Sequence, residues 1–256
     1  MRQPRRSLYL LYHELRPDET GYSYVIDNKT FDAHLDCFVQ IRANSDSNLC
    51  PEITFDDGHI SNFQFALPAL ESRGLRAQFF ITVGWTGQKA GYMGWQELRA
   101  LHAAGQLIGA HGWTHTLLTH CDGKQLHTEL GRARLMLEDK LGASITTMSL
   151  PGGRYNRRVL DACQEAGYTH VYTSIPRSEP ASPGFTLGRL NVRRDMKLEW
   201  LVALFSPDSN VLTRLDRQYQ VKAAAKSLLG DRVYEKLWAL LNRKEPDANA
   251  AEAMPQ

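Results

Sequence analysis

Cysteine is scarce and scattered. Cys37, Cys50, Cys121 and Cys163 are the 4 cysteines of this 256-residue chain and form no C-x-x-C pair. That excludes a disulfide framework and a thiolate zinc site, and leaves reduced or buried thiols. An excess of charge of one sign is missing too. The 30 basic and 28 acidic side chains leave a net +2, too weak a field to draw a polyanion, so nucleic acid is not an expected partner. No apolar run approaches the ~18 residues of a spanning helix, and no transmembrane segment is expected. The apolar run Leu8 to Tyr12 is followed at once by His13 and Glu14. It falls short of the ~7 to 15 residues of a signal-peptide core, which makes a cytoplasmic chain the expectation. Internal repeats are absent as well.

The chain does contain 43% hydrophobic and 23% charged residues, the balance of a globule able to bury a full core. Short β-rich runs alternate with amphipathic segments, the pattern of βα units around a parallel sheet or barrel and hence an α/β fold. Strands are expected at Leu8 to Tyr12, Glu52 to Phe55, Ala77 to Val83, Leu107 to Ala110, Thr146 to Leu150, Val171 to Ser174 and Leu187 to Val192. Helices fall between them. Thr30 caps Phe31 to Ile41, Ser61 precedes a helix through Leu70 kinked at Pro68, and Gly94 to Ala104 and Gly123 to Leu141 follow. From Asp195 the alternation ends. Leu198 to Phe205 and Val211 to Leu241 read as helical, so residues 206–243 form a C-terminal helical extension and 244–256 a disordered tail.

Two stretches concentrate the chemistry. Ile53-Thr54-Phe55-Asp56-Asp57-Gly58-His59 sets adjacent carboxylates at the end of an apolar strand, which in a βα barrel is the catalytic face. Neighbouring residues leaving a strand point in different directions, so one aspartate can bind a metal while the other accepts a proton. The bland alternative is a turn that caps the next helix. The second stretch, Gly109-Ala110-His111-Gly112-Trp113-Thr114-His115, also follows a predicted strand. Histidines four apart fall on one face of a helical turn and can converge on one divalent cation. With one carboxylate they make a two-His, one-Asp site that keeps positions open for water and substrate. Chance, or a buried and hydrogen-bonded pair, is the competing account. The pair gains weight by arriving at a second strand end of the same barrel.

TFDDG followed by HGWTH resembles the polysaccharide deacetylase family, the NodB-like carbohydrate esterases, as do LYHEL, ALPALESRGLRAQFFITVG, YMGWQELRAL and PGGRYN. The resemblance implies a distorted (β/α) barrel of about seven strands over residues 1–205. It also implies a groove at the strand C-termini and metal-dependent hydrolysis of an N-acetyl or similar acyl group on a sugar. Carried over, Asp56 matches the catalytic base, and Asp57, His111 and His115 match the metal triad. The implied cofactor is one divalent ion, zinc first, with cobalt, manganese or nickel accepted by the same donors. The implied partner is an N-acetylated carbohydrate. The turn Pro151-Gly152-Gly153-Arg154-Tyr155 would supply a backbone N–H to the oxyanion, from Gly152.

Three positions depart from the family pattern. Ser149 stands where an arginine should precede the proline, and Gly152 where a tyrosine should follow it. The partner of the base is thereby left open between Arg154, another nearby arginine, and none. In Leu190-Asn191-Val192-Arg193-Arg194, which resembles the family's late strand, Arg194 replaces the general-acid histidine. An arginine stabilises charge but donates protons poorly. His13, at the end of the first strand, is the other candidate acid, against a histidine merely hydrogen-bonded there. His120 is an alternative ligand, and Trp95 and Trp113 are candidate sugar-stacking rings, Trp113 preferred for its address.

The expected function is a metal-dependent carbohydrate deacetylase acting on a glycan-biosynthetic intermediate. The alternatives are a deformylase or amidase on a non-polymeric substrate, and a deacetylase-fold carbohydrate-binding protein without turnover. The last is motivated by Ser149, Gly152 and Arg194. Against it, Asp56, Asp57, His111 and His115 are costly polar groups to keep together without a use.

Overall fold

The apolar runs become the strands of one parallel sheet. In the computed structural model, which describes residues 5–44 and 47–229, the strands are β1 (Arg6–Tyr12), β2 (Glu14–Arg16), β3 (Val25–Asp27), β4 (Leu49–Phe55), β5 (Ala77–Ile81), β6 (Leu107–Ala110), β7 (Thr147–Ser149), β8 (His170–Tyr172), β9 (Thr186–Leu187) and β10 (Arg189–Asn191). The main sheet has 8 strands in the order β10-β1-β4-β5-β6-β7-β8-β9. The small pair β2 and β3 lies outside it and has no counterpart in the sequence reading, because runs of three residues carry too little periodicity.

The two ends of that order, β9 and β10, are one run of chain broken only at Gly188. Thr186 and Leu187 pair with Val171 and Tyr172 of β8, whereas Arg189, Leu190 and Asn191 pair with Tyr9, Leu10 and Leu11 of β1. The sheet is thus a barrel whose last seam is covalent, and the seventh expected strand is real but split between two partners. Gly188 permits the split. A Cβ there would stand 2.3 Å from Arg177 Cγ and 2.5 Å from the Ile175 carbonyl oxygen.

The helices are α1 (Asn28–Ala43), α2 (Leu67–Glu71), α3 (Trp95–Ala103), α4 (Gly123–Leu126), α5 (Ala133–Leu141), α6 (Arg157–Glu165), α7 (Leu198–Phe205) and α8 (Val211–Leu229). The first helix starts earlier than Thr30. Asp27 is its cap, accepting from the Thr30 amide at 2.8 Å, the usual carboxylate solution for an unpaired N-terminal N–H. Two compact units result, Met1–Asn210 and Val211–Gln256. Of the expected helical extension, α8 is described to Leu229, while its continuation to Leu241 and the expected tail 244–256 lie outside the described residues. Among the described residues no helix is long and apolar enough to cross a membrane.

Strand alternation sorts the barrel into two faces. Outside, Tyr12, Phe55 and Phe31 of α1 form an aromatic layer, and Phe55 stacks on Phe79 at 4.9 Å. Each such pair adds about 0.5 to 1.5 kcal/mol beyond the area it buries. Inside, Phe80, Tyr172 and Leu187 make an apolar floor with Tyr9 packed against it. The polar inward residues Thr54, Ser149 and Arg189 are buried with that floor.

One outward contact fixes the end of β1. The Tyr12 hydroxyl and His34 Nδ1 are 3.0 Å apart in a buried pair, and burial depresses the His34 imidazole from 6.5 to about 4. Folding therefore holds His34 neutral, and the unfolded chain binds the extra proton. The associated stability is complete above about pH 6.5 and is lost as pH falls towards about 4. The change amounts to about 2 to 3 kcal/mol. His34→Asn keeps an acceptor for Tyr12 and removes the titration. Urea unfolding at about pH 7.5 and about pH 4.5 is expected to show the wild type losing about 2 to 3 kcal/mol more than this variant. Equal losses would contradict the assignment.

Candidate metal centre

Asp56 emerges at the mouth of β4 on the inward face, its amide held by the Tyr12 carbonyl at 3.1 Å. Its partner is Arg189, whose Nη1 donates to Oδ1 at 2.7 Å and whose Nη2 donates to Oδ2 at 2.8 Å. Ser149 Oγ donates to Oδ2 as well, at 2.9 Å, and accepts from Arg189 Nη2 at 2.7 Å. The missing arginine thus has a substitute on another strand, and the serine that displaced it is the third member of the cluster. Burial pushes the Asp56 carboxyl up, but the Arg189 charge, then His111 and the Arg189 hydrogen bonds, bring it below the ordinary carboxylate value. It stays ionised across neutral pH.

Asp57, the next residue, turns to the other side. Its Oδ1 lies 3.3 Å from His111 Nε2 and 3.3 Å from His115 Nε2. The three donors fall within 4.8 Å of one another. His111 Nδ1 donates to the Ser149 carbonyl at 2.9 Å, which fixes the tautomer and leaves Nε2 as a lone pair aimed at the cluster. Asp57 Oδ1 is buried and makes no hydrogen bond, which suits it to a cation. The donor set fits one divalent ion, and its two imidazoles and one carboxylate are a borderline-soft set suited to zinc. Burial raises the Asp57 carboxyl, yet His111, His13 and His115 hold it well below its usual value. Burial and the His111 charge push His115 down to about 4.

The histidines do not converge through a helical turn. Residues 111–117 form a loop in which His115 has φ 66°, and Asp57 has φ 72°. Two of the three donors therefore occupy the left-handed region, at a cost of roughly 1 to 3 kcal/mol each for residues that bear a Cβ. The loop is tied down to hold them. The Asp57 carbonyl accepts from Thr82, and Gly112 and Trp113 carbonyls accept from Val83 and Gly84.

Glu129, on the π turn His127–Arg132 between α4 and α5, clasps the loop from behind. Its carboxylate accepts from the Trp113 and Thr114 amides at 2.7 and 3.0 Å and from the Thr114 hydroxyl. Gly112 makes room, since a Cβ there would stand 2.9 Å from Glu129 Oε2. Sequence reading missed Glu129 because its position is set by the π turn, and missed Arg189 because the motif placed the arginine elsewhere.

The remaining expected residues divide. His13 sits by the cluster, with Nδ1 buried and without a hydrogen-bond partner, and its charge is among those lowering Asp56 and Asp57 after burial and their nearer partners. Gly152 lies in the turn after β7 at φ 63°, where a Cβ would meet Leu117 Cδ2 at 2.7 Å. A tyrosine side chain there would collide with the metal loop. Arg194 is not brought to the site. It lies in the turn past β10, exposed, and donates to the Thr20 carbonyl. His120 is exposed and outside the triad. One face of Trp113 is covered by the Arg132 guanidinium at 3.9 Å. The ring beside the ligands is instead Trp85, 5.1 Å from His115, with Lys89 Nζ 3.9 Å over it.

Fold and site together define a (β/α) barrel protein with a metal-capable two-His, one-Asp centre at the strand C-termini. The polysaccharide deacetylase family profile matches residues 45–171. Over that stretch, just under half of its length, the chain is similar to the polysaccharide deacetylase family. YxkH of Bacillus subtilis (strain 168), which bears the name of a polysaccharide deacetylase, is 26% identical over 210 residues, 76% of this chain and 74% of its own. The Streptococcus pyogenes deacetylase PplD, solved in complex with acetate, superposes with a TM-score of 0.71 at 20% identity over 80% of this chain and 100% of its own. IcaB from Ammonifex degensii gives 0.65 at 21% identity over 78% and 97%. These two likenesses show the fold.

The centre makes two predictions. Purified protein loaded with zinc or cobalt is expected to hold one ion per chain by elemental analysis, lost in the His111→Ala, His115→Ala double variant. Glu129→Gln, which cannot accept all three loop bonds, is expected to weaken the metal by ~10- to 100-fold in chelator competition; unchanged affinity would mean that the clasp does not position the ligands.

Proposed function

We propose that this protein is a metal-dependent hydrolase that removes an N-acetyl or similar acyl group from a carbohydrate. The observation that carries the reading is the division of labour between adjacent aspartates, with Asp57 committed to His111 and His115 and Asp56 committed to Arg189. A divalent ion held by Asp57, His111 and His115 supplies Lewis-acid activation of water and of the acyl carbonyl. Asp56, ionised and facing the same space 3.8 Å from His111 Nε2, accepts the proton of the attacking water. Arg189 and Ser149 hold both its oxygens, so only one geometry is presented.

The Gly152 amide is the oxyanion donor of this proposal, and His13 is its acid. Water supplies the hydroxyl that ends on the acyl carbon as the C–N bond breaks, and the nitrogen leaves with a proton from His13. The proton taken by Asp56 restores the one given by His13, and the net change is amide plus water to carboxylic acid plus amine. His13 takes this role because β1 neighbours β10 in the sheet, so a side chain at the mouth of β1 reaches the wall where the late-strand histidine is missing.

Release of acetate from N-acetylated oligosaccharides by the metal-loaded protein tests the reading. Asp56→Asn is expected to keep the metal and lose turnover. Arg189→Lys keeps the charge but not the two-pronged grip. It is expected to lower kcat by ~10- to 100-fold with metal content unchanged, the scale of a misplacement near 1 Å. Full activity in this variant would remove Arg189 from the mechanism.

A further inference from the structure

We propose that Asn191 receives the N–H of the scissile amide and so makes the site select N-acyl over O-acyl sugars, an inference that rests on the deacetylase reading above. Arg189 and Asn191 are two residues apart on β10 and share a face. The Arg189 guanidinium is inside the barrel on Asp56, so Asn191 also projects inward. It is the last residue of its strand, which places it at the mouth, where Arg194 was expected and does not reach. Its neighbour in register is Leu11, and two residues beyond Leu11 comes His13. Asn191 and His13 are therefore diagonal neighbours on one wall, across the ring from β6, which His111 follows.

Both carry a buried polar atom without a partner, Oδ1 of Asn191 and Nδ1 of His13. Buried acceptors left unpaired are costly and uncommon, so a ligand group is the expected partner. The chemistry identifies it. A secondary amide is planar and trans, with its N–H opposite its carbonyl oxygen. A carbonyl oxygen turned towards the His111 side therefore turns the N–H to the wall of β1 and β10. An asparagine oxygen accepts that hydrogen, and His13 beside it is placed to protonate the nitrogen as it leaves. An ester has no hydrogen at this point, and its binding would leave Oδ1 unpaired. Sites built to hydrogen-bond a substrate N–H or O–H discriminate strongly against the analogue that lacks it.

The test is kcat/KM for a metal-loaded wild type, Asn191→Ala and the similarly sized Asn191→Leu. The substrates are an N-acetylhexosamine oligosaccharide and its isostere with ester oxygen in place of the amide nitrogen. The wild type is expected to favour the amide. Both variants are expected to lose ~10- to 100-fold on the amide and to stay within ~3-fold on the ester, with metal content and thermal midpoint unchanged. Equal losses on both substrates, no loss on the amide, or loss of metal in both variants would overturn the proposal and leave the deacetylase reading standing. A wild type that releases acetate from neither substrate would overturn that reading, and this inference with it.

Discussion

The structure turns on one ion pair inside the barrel, Arg189 with Asp56, both essentially without solvent access. Burying two charges costs several kcal/mol per ion, and the cost is offset only where the geometry satisfies every donor and acceptor. Here it does. Arg189 Nε donates to the Thr173 carbonyl, Nη1 to Asp56 and to Thr54 Oγ1, and Nη2 to Asp56 and Ser149. That uses all five N–H groups of a guanidinium. Below it, Phe80 and Tyr172 present their rings to the guanidinium carbon at 5.3 and 5.8 Å. The inner positions of two further strands are thereby constrained to small hydroxyl residues, Thr54 and Ser149, while Thr173 contributes only its backbone carbonyl. A hydrophobic replacement at either of them would strand an N–H.

The metal centre depends on the pair at one remove. Ser149 bonds Asp56 through its side chain and His111 through its carbonyl, so the two side chains are referenced to the same residue. The other two donors are held by loops under backbone strain, Asp57 and His115 in the left-handed region. Such strain persists only when surrounding bonds over-determine the conformation. The carbonyl bonds to β5 and its following turn, and the Glu129 clasp, provide that restraint.

Much of this was legible in the sequence. Long β-rich runs gave strand positions because period and length agree there, and β6 was located to the residue. The triad was legible because Asp-Asp-Gly and His-x-x-x-His each follow a strand. The route by which the histidines converge was not, since a spacing of four suits a helical turn as well as a loop with one left-handed residue. The cap of α1 was misplaced because Asp27 and Thr30 are both good capping residues, and only the backbone shows which side chain meets an N–H. Arg189 was out of reach for a different reason. Pairing across Gly188 decides which residues of 186–194 face inward, and a strand that changes partners in mid-run resets that phase.

Inward side chains of a closed barrel converge on one axis, so a group lost from one strand can be regained from another without moving the atom that does the work. Arginine suits this exchange because its length lets a guanidinium arrive from a distant Cα. The pair Ser149 and Arg189 is such an exchange, one position shrinking to admit what the other extends. The role proposed for His13 has the same form, across the β1–β10 register. An absent motif residue in this fold therefore says which strand no longer supplies a group, and the ring of inward positions has to be searched before the group itself is counted as lost. On that criterion the serine before Pro151 loses its force as a sign of lost turnover, because the carboxylate it should have orphaned is fully partnered.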